Sequence, residues 1–410
     1  MKKYKPDIKA DILTDIDRDE NPTLMEPLLI SENSTHRKKL LDLALELSAK
    51  SAGFKHSLPA AIQTSLATMV RSMSCYYSNL IEGHNTHPID IERALQGNYS
   101  SDLKKRNLQH EAKAHVTVQE WIDHGGIKEN IFSIHRICEI HKRFSQLLPE
   151  DLLWVENPYT KQKIKMIPGE LRHNDVQVGN HMPISPGSIN RFLARYESVY
   201  NSLGKAETIL ALAATHHRLL WIHPFLDGNG RVTRLISHAA ILNLLDTGGL
   251  WSISRGLARN VDQYKAYLAN CDLTRRNDLD GRGNLREESL AEFTEFFLKI
   301  CIDQIDFMQK LMEPESLRTR ILIWAREEIE LNHLPKQSYQ ILESILYRGE
   351  ISRSDIAKLL NITERHARRA TSVLIEKGIL ISDSTKSPLR LAFPAEFAHR
   401  WMPGMFPSIS

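Results

Sequence analysis

Four cysteines in 410 residues, at positions 75, 138, 271 and 301, are too few and too scattered for a disulfide framework. None forms a Cys-x-x-Cys pair, so a thiolate metal or redox site of that type is excluded as well. They fit a reducing compartment and the role of small core residues. No apolar run approaches the ~18 residues that a membrane span requires. The start, Met1-Lys2-Lys3-Tyr4-Lys5-Pro6-Asp7, has no apolar core after its lysines and does not read as a signal peptide. Charge is nearly balanced: a formal net charge of +3 is too small to argue for nucleic acid by itself. The four histidines His110, His115, His135 and His141 lack the carboxylate or cysteine spacing of a metal site and read as ordinary surface or core residues. What remains is the composition of a soluble protein, 42% hydrophobic and 25% charged, long enough for two or three domains. The expected location is cytoplasmic, with no membrane partner.

Residues 1–35 are polar, punctuated by proline and acidic at Asp15, Asp17, Asp19 and Glu20, and read as an extended arm over the body. Helical periodicity begins near His36. A second helix, from about Pro59 to Ile81, carries an apolar stripe of Ile62, Leu66, Met69, Val70, Met73, Tyr77, Leu80 and Ile81, with Gly83 as its stop. Glu82 places a carboxylate at the negative end of that helix, where a cation is preferred. It is either a solvated glutamate or one with a cationic partner elsewhere. Residues 86–160 look helical, with helices near 105–123 and 130–148. Lys163–Arg172 and Val176–Pro183 change texture: β-branched residues with Pro-Gly and Val-Gly punctuation predict a short hairpin or a surface loop. Helices resume at Ile189–Ser202 and Ala206–Trp221.

The densest stretch follows: His223-Pro224-Phe225-Leu226-Asp227-Gly228-Asn229-Gly230-Arg231-Val232-Thr233-Arg234. An apolar run through Leu235, Ile236, Ala239, Ala240, Ile241, Leu244 and Leu245 predicts a buried helix fed by the Gly-Asn-Gly turn. Such a loop aims backbone N–H groups at an anion, and the helix dipole adds to the attraction. Arg231 and Arg234, three apart, can lean toward one bound group. His223 supplies a base on a proline-stiffened tether, and Asp227 is the one carboxylate of the stretch. Singly these features are common turns and helix starts, but packing does not require them together. They read as a nucleotide-phosphate site.

This stretch resembles the Fic signature, His-Pro-Phe-x-Asp/Glu-Gly-Asn-Gly-Arg-x-x-Arg, and matches every specified position. Ser78-x-x-x-Glu82-Gly83 in turn resembles the family's inhibitory motif, in the subgroup that carries the inhibitory helix on the N-terminal side. The resemblance covers residues from about 60 to 300. It implies transfer of AMP from ATP to a serine, threonine or tyrosine hydroxyl of a target protein, the chain itself included. It implies His223 as base, Asp227 as ligand of Mg2+, and Gly228, Asn229 and Gly230 on the α- and β-phosphates. It also implies Arg231 on the β-phosphate, Arg234 on the γ-phosphate, and Glu82 pairing with Arg234 to hold the enzyme off. The 163–183 stretch would be the family's flap, whose edge holds a target segment. An aromatic of the 259–267 helix would line the adenine side; Tyr264 is the residue carried over, although the usual tyrosine pair is broken by Lys265. The family also includes enzymes that remove AMP and relatives that transfer other phosphate-containing groups.

A long helix is expected from about Glu288 to Met312, then a bridging helix near 316–331. Residues 336–410 carry net +4. Tyr339–Tyr347 reads as a helix, Ser352–Thr363 as a helix and a tight turn, Glu364–Lys377 as a third helix with Arg365, Arg368 and Arg369, and Ile379–Phe393 as a two-stranded wing. The pattern resembles a winged helix-turn-helix, which serves DNA contact or, as the alternative, structure and homodimer assembly. A nucleotide-sensing, DNA-binding transcription regulator is therefore the second class of function. The expected fold is mainly α: a Fic-type helical domain with a short β-hairpin flap, plus a C-terminal winged helix domain. The expected division is 1–100 for the arm and inhibitory helix region, 101–312 for the catalytic domain, 313–335 for a linker helix and 336–410 for the winged helix.

Overall fold

The computed structural model describes residues 15–54, 58–156 and 161–407. Helices dominate. In chain order they are α1 (Arg37–Phe54), α2 (Ala60–Ile81), α3 (Pro88–Leu95), α4 (Leu103–Trp121) and α5 (Ile134–Ser145). The strands β1 (Trp154–Glu156) and β2 (Lys163–Lys165) follow, then α6 (Ile189–Tyr200), α7 (Lys205–Ile222), α8 (Asn229–Leu245), α9 (Ile253–Arg259), α10 (Val261–Cys271) and α11 (Glu287–Leu311). The chain continues through α12 (Pro314–Glu330), α13 (Ser338–Arg348), β3 (Glu350–Ile351), α14 (Arg353–Leu360), α15 (Glu364–Glu376), β4 (Leu380–Ile381), β5 (Leu389–Leu391) and α16 (Ala398–Trp401). Among the described residues no helix is long and apolar enough to cross a membrane.

The chain forms two compact units, each assembled from three separated segments. One contains the residues up to Ala44, Gly125–Ala240 and Asn260–Leu298; the other contains Leu45–His124, Ile241–Arg259 and Lys299 onward. The first unit is organised on α6 and α7. In α6, Ile189, Phe192, Leu193, Tyr196 and Tyr200 recur at helical spacing and are all buried. Helix α7 is buried on every side from Thr208 to Leu219, as expected of a central helix. The two buried tyrosines satisfy their hydroxyls on main-chain carbonyls, Tyr196 on Thr215 at 3.1 Å and Tyr200 on Leu28 at 2.8 Å.

The described part of the arm, from Asp15, is stitched to this unit by charge. Arg18 makes a bidentate pair with Asp175 at 2.8 and 3.2 Å, and Arg191 makes one with Asp17. Glu20 accepts from the Ser185 amide at 2.9 Å and from the hydroxyls of Ser185 and Ser188. Residues 1–14 of the expected arm lie outside the described residues.

The hairpin differs from its sequence expectation. β2 pairs with β1, in the register Trp154↔Lys165, Val155↔Ile164 and Glu156↔Lys163, and not with 176–183. The latter stretch contributes only a Val178–His181 bridge. β1 falls within residues expected to be helical; strands of three residues are too short to display a period of two against that background.

In the second unit α2 buries Ile62, Leu66, Met69, Val70, Met73, Tyr77 and Ile81, with Glu82 as C-cap and Gly83 beyond it at φ +86°. α4 begins on an Asp102 cap, whose carboxylate accepts from the Lys105 amide at 2.8 Å. Replacing Asp102 by Ala should lower stability by about 1 kcal/mol, because the cap bond is lost and the site is exposed. The midpoint of urea unfolding reads this directly, and an unchanged midpoint would show that the cap contributes nothing.

The residues from 338 onward show helices and a strand pair where these were expected, and β3, which was not expected, joins the pair in the order β3-β5-β4; they do not stand apart. The Ala395 amide donates to Glu92 at 3.0 Å, and Arg255 donates to the Gly404 carbonyl at 2.8 Å. Trp401 is 1% exposed and lies 5.0 Å from the Trp324 ring. The expected boundaries at 100, 312 and 335 therefore do not coincide with the compact units. The tail's tryptophan and methionines are buried in a core that also holds α2 and α12.

Candidate active site

The site lies in the first unit, at the break between α7 and α8. His223 is the C-cap of α7 and adopts φ +51°, ψ +63°, the left-handed region that histidine tolerates better than most residues. Pro224 follows, and a residue before proline is disfavoured in the right-handed helix. The helix thus has to turn at His223. The imidazole Nδ1 donates to the Leu220 carbonyl at 3.3 Å, which leaves Nε2 as the basic nitrogen. Burial pulls the imidazole down to about 4, with Arg172 and His181 opposing protonation and Asp227 favouring it. It is neutral at pH 7.

Phe225 is fully buried and stacks on His141, with 3.8 Å between ring centroids and 3° between planes. His141 accepts the Gly169 N–H on Nδ1 at 2.9 Å, so its proton sits on Nε2, 3.3 Å from the Ser145 hydroxyl. Burial holds this imidazole at about 4 as well. The Asn229 side chain turns back on the loop: Oδ1 accepts from the Phe225 amide at 2.9 Å and Nδ2 donates to its carbonyl at 2.8 Å. Both its polar atoms shape the turn.

Gly228, at φ +81°, precedes α8, and its carbonyl takes the first helical bond from Val232 at 2.9 Å. The amides of Asn229, Gly230 and Arg231 come ahead of that bond, as at any helix start, and form the anion-attracting end of α8. Asp227 is half-exposed beside them. Burial resists its ionisation, but the Arg231 guanidinium and the Gly228 N–H prevail and hold the carboxyl below its ordinary value. Arg231 reaches Asp227 at 3.1 Å and lies 4.9 Å from the Phe144 ring. Arg234, one turn on, is 2% exposed.

Tyr264 is internal, 2% exposed. Its hydroxyl donates to His216 Nε2 at 2.7 Å; His216 Nδ1 donates to Ser237 at 2.8 Å, and Ser237 to the Thr233 carbonyl at 3.0 Å. This chain of bonds ties α10 and α7 to the first turns of α8. Ser78, Glu82 and Gly83 belong to the other unit, at the end of α2. The supporting residues His141, Arg172 and His216 carry no local sequence signal. Each acts through a partner at least twenty residues away.

The sequence profile of the Fic/DOC family matches residues 131–241. The protein adenylyltransferase Fic of Drosophila erecta is 26% identical over 223 residues, covering 52% of this chain and 42% of the relative. That of Drosophila willistoni is 27% identical over 169 residues, covering 41% and 31%. The chain thus spans less than half the length of these curated relatives. A crystal structure of a Fic family protein from Desulfovibrio desulfuricans G20 shares the fold, with a TM-score of 0.51 at 15% identity over 89% of this chain and 98% of that one. The full signature lies on the loop between α7 and α8, and the match to the Fic/DOC family profile, residues 131–241, spans that loop.

Proposed function

We propose that the chain is a protein adenylyltransferase that moves AMP from ATP to a serine, threonine or tyrosine hydroxyl of a protein. The observation that carries this reading is a neutral, tethered imidazole set immediately before a helix start that favours phosphate. The target oxygen attacks the α-phosphorus as its proton passes to His223 Nε2, and the α–β P–O bond breaks to release pyrophosphate. The amides of Gly228, Asn229 and Gly230 face the α- and β-phosphates, where charge builds. Arg231 holds the β-phosphate side and Arg234 the γ-phosphate.

Asp227 suits Mg2+: it is an ionised, half-exposed oxygen donor beside the phosphate cradle. Among the described residues no group of three or more His, Cys, Asp or Glu gathers into a protein cage. One carboxylate plus substrate phosphates is the usual mode for this ion. When bound, it would neutralise charge on the phosphates that bridge the scissile bond.

Control is assigned to Glu82. On the resemblance of Ser78-x-x-x-Glu82-Gly83 to the family's inhibitory motif, Glu82 competes with the γ-phosphate for Arg234. A second reading rests on α15, whose Arg365, Arg368 and Arg369 are exposed on the face opposite buried Ala367, Ala370 and Leu374. The module formed by α13–α15 and β3–β5 is read as a winged helix, and that face fits a DNA groove. Incubation of the protein with α-labelled and γ-labelled ATP separates the classes. Covalent α-label alone on a protein is the expected result. Covalent γ-label would make the reaction phosphoryl transfer, and no label together with a specific footprint on DNA would favour the regulator.

A further inference from the structure

Arg172, in the segment between β2 and α6, is 2% exposed, and its guanidinium is spent on main-chain carbonyls. Nε donates to His223 at 2.8 Å, Nη1 to Asn174 at 2.9 Å, and Nη2 to Ile184 at 2.5 Å with Ile222 at 3.5 Å. The residue's own amide donates to the Pro224 carbonyl at 2.9 Å. None of these partners is a carboxylate. Burying a charge without a counter-ion is unfavourable unless its hydrogen bonds are well met. Here burial pulls the guanidinium down to about 10 although the nearby carboxylates of Asp175 and Glu20 favour its charge, which still leaves it charged at neutral pH.

The carbonyls it serves are special ones. α7 ends at Ile222 and the backbone turns left-handed at His223, so the last carbonyls of the helix have no intrahelical partner and carry the negative end of its dipole. Arg172 contacts Ile222, His223 and Pro224 in succession, the three residues from which the His223 imidazole hangs. Three residues earlier, the Gly169 amide bonds to His141, whose ring supports Phe225. The short segment 169–172 therefore holds the signature loop at two points.

We propose that Arg172 is a positioning residue for AMP transfer: its planar fork fixes the His223–Pro224 backbone and so fixes where the His223 imidazole stands. This rests on the reading of His223 as the base. The arginine has a second effect on the same group. Its positive charge opposes protonation of His223, as does His181, whereas Asp227 favours it.

Lysine and methionine separate the two effects. A lysine ammonium keeps the charge but cannot span the same carbonyls, because it is a compact donor without the planar fork. Methionine removes charge and fork together. The test uses the full chain with Arg172→Lys, Arg172→Met and His223→Ala, each checked for a native near-ultraviolet dichroism spectrum. If Arg172→Met does not fold, Arg172→Lys carries the test. Three quantities are read: kcat for self-modification with α-labelled ATP, ATP affinity by calorimetry, and the titration of His223 by its imidazole proton resonance. The last needs no turnover.

Both Arg172 variants should lose about 10- to 100-fold in kcat with little change in ATP affinity, the effect of a misplaced reacting group. His223 should titrate at higher pH in Arg172→Met and close to the wild-type value in Arg172→Lys. Wild-type kcat in Arg172→Lys would overturn the positioning role, as would a kcat loss matched by an equal loss of ATP affinity. An unshifted His223 titration in Arg172→Met would overturn the electrostatic part. Full transfer by His223→Ala would instead remove the base assignment itself, a failure distinct from that of Arg172.

Discussion

Replacing His223 by Ala leaves a protein that folds and binds ATP but transfers AMP at least ~100-fold more slowly, the lower end of what a positioned base contributes. Binding survives because the phosphate contacts assigned to the amides of 228–230 and to Arg231 do not involve the imidazole. The same residue sets the acid limb of the pH profile. Its pKa in the folded protein is depressed to about 4, so the base is unprotonated at neutral pH and transfer is lost as pH falls through about 4, not through the ordinary 6.5. The stability linkage has the same direction. Below the unfolded value of 6.5 the unfolded chain binds a proton that the folded imidazole refuses, so His223 destabilises the fold progressively as pH falls toward 4. Rates of α-label incorporation between pH 4 and 8 check the first statement. Near-normal transfer by His223→Ala, or an acid limb centred on the ordinary histidine value, would remove His223 from the role of base.

Replacing Glu82 by Gly should raise AMP transfer strongly, visible first as self-modification. Arg234→Ala should then abolish transfer even in the Glu82→Gly background. Two anions compete for one guanidinium. Glu82 caps the C-terminus of α2, where the helix dipole disfavours a carboxylate, and its side chain is exposed. A γ-phosphate offers a guanidinium an equivalent bidentate partner. Two states separated by only ~1–3 kcal/mol, the size of a typical coupling energy, make such a switch adjustable by ATP or by a partner. The double variant separates competition through the arginine from a simple loosening of α2. Equal activity of wild type and Glu82→Gly across ATP concentrations would leave Glu82 an ordinary helix-end carboxylate. Activity retained by the double variant would remove Arg234 from the γ-phosphate.

Much of this molecule is legible in its sequence, and what is not has identifiable causes. Long helices with one apolar face, such as α2 and α6, stand within one or two residues of their expected ends, because burial there follows a 3.6-residue period. The loop from His223 to Arg234 is legible because its chemistry is local. β1, β3 and α9 are not, being two to seven residues long and set by neighbours distant in the chain. The same holds for the residues that support the site. Nothing near Arg172 says that its fork will meet His223, and nothing near His141 says that Phe225 will lie flat against it. Asn229 belongs to an intermediate case: its place in the loop follows from the sequence, whereas its two bonds to Phe225 require the turn to exist first.

The three-segment construction of each unit also bears on how the protein is made. A ribosome that has delivered residues 1–259 has synthesised the whole signature, yet the first unit still lacks Asn260–Leu298, with Tyr264 among them. The second unit waits longer still, until Trp401 and Met405 emerge to close a core that includes α2, translated more than three hundred residues before. Apolar faces such as that of α2 must stay soluble through that interval, and long-range closure of this kind is slow and exposed to aggregation. Premature stops and late frameshifts should therefore yield not a smaller folded protein but chains with open cores, fit for proteases and chaperones.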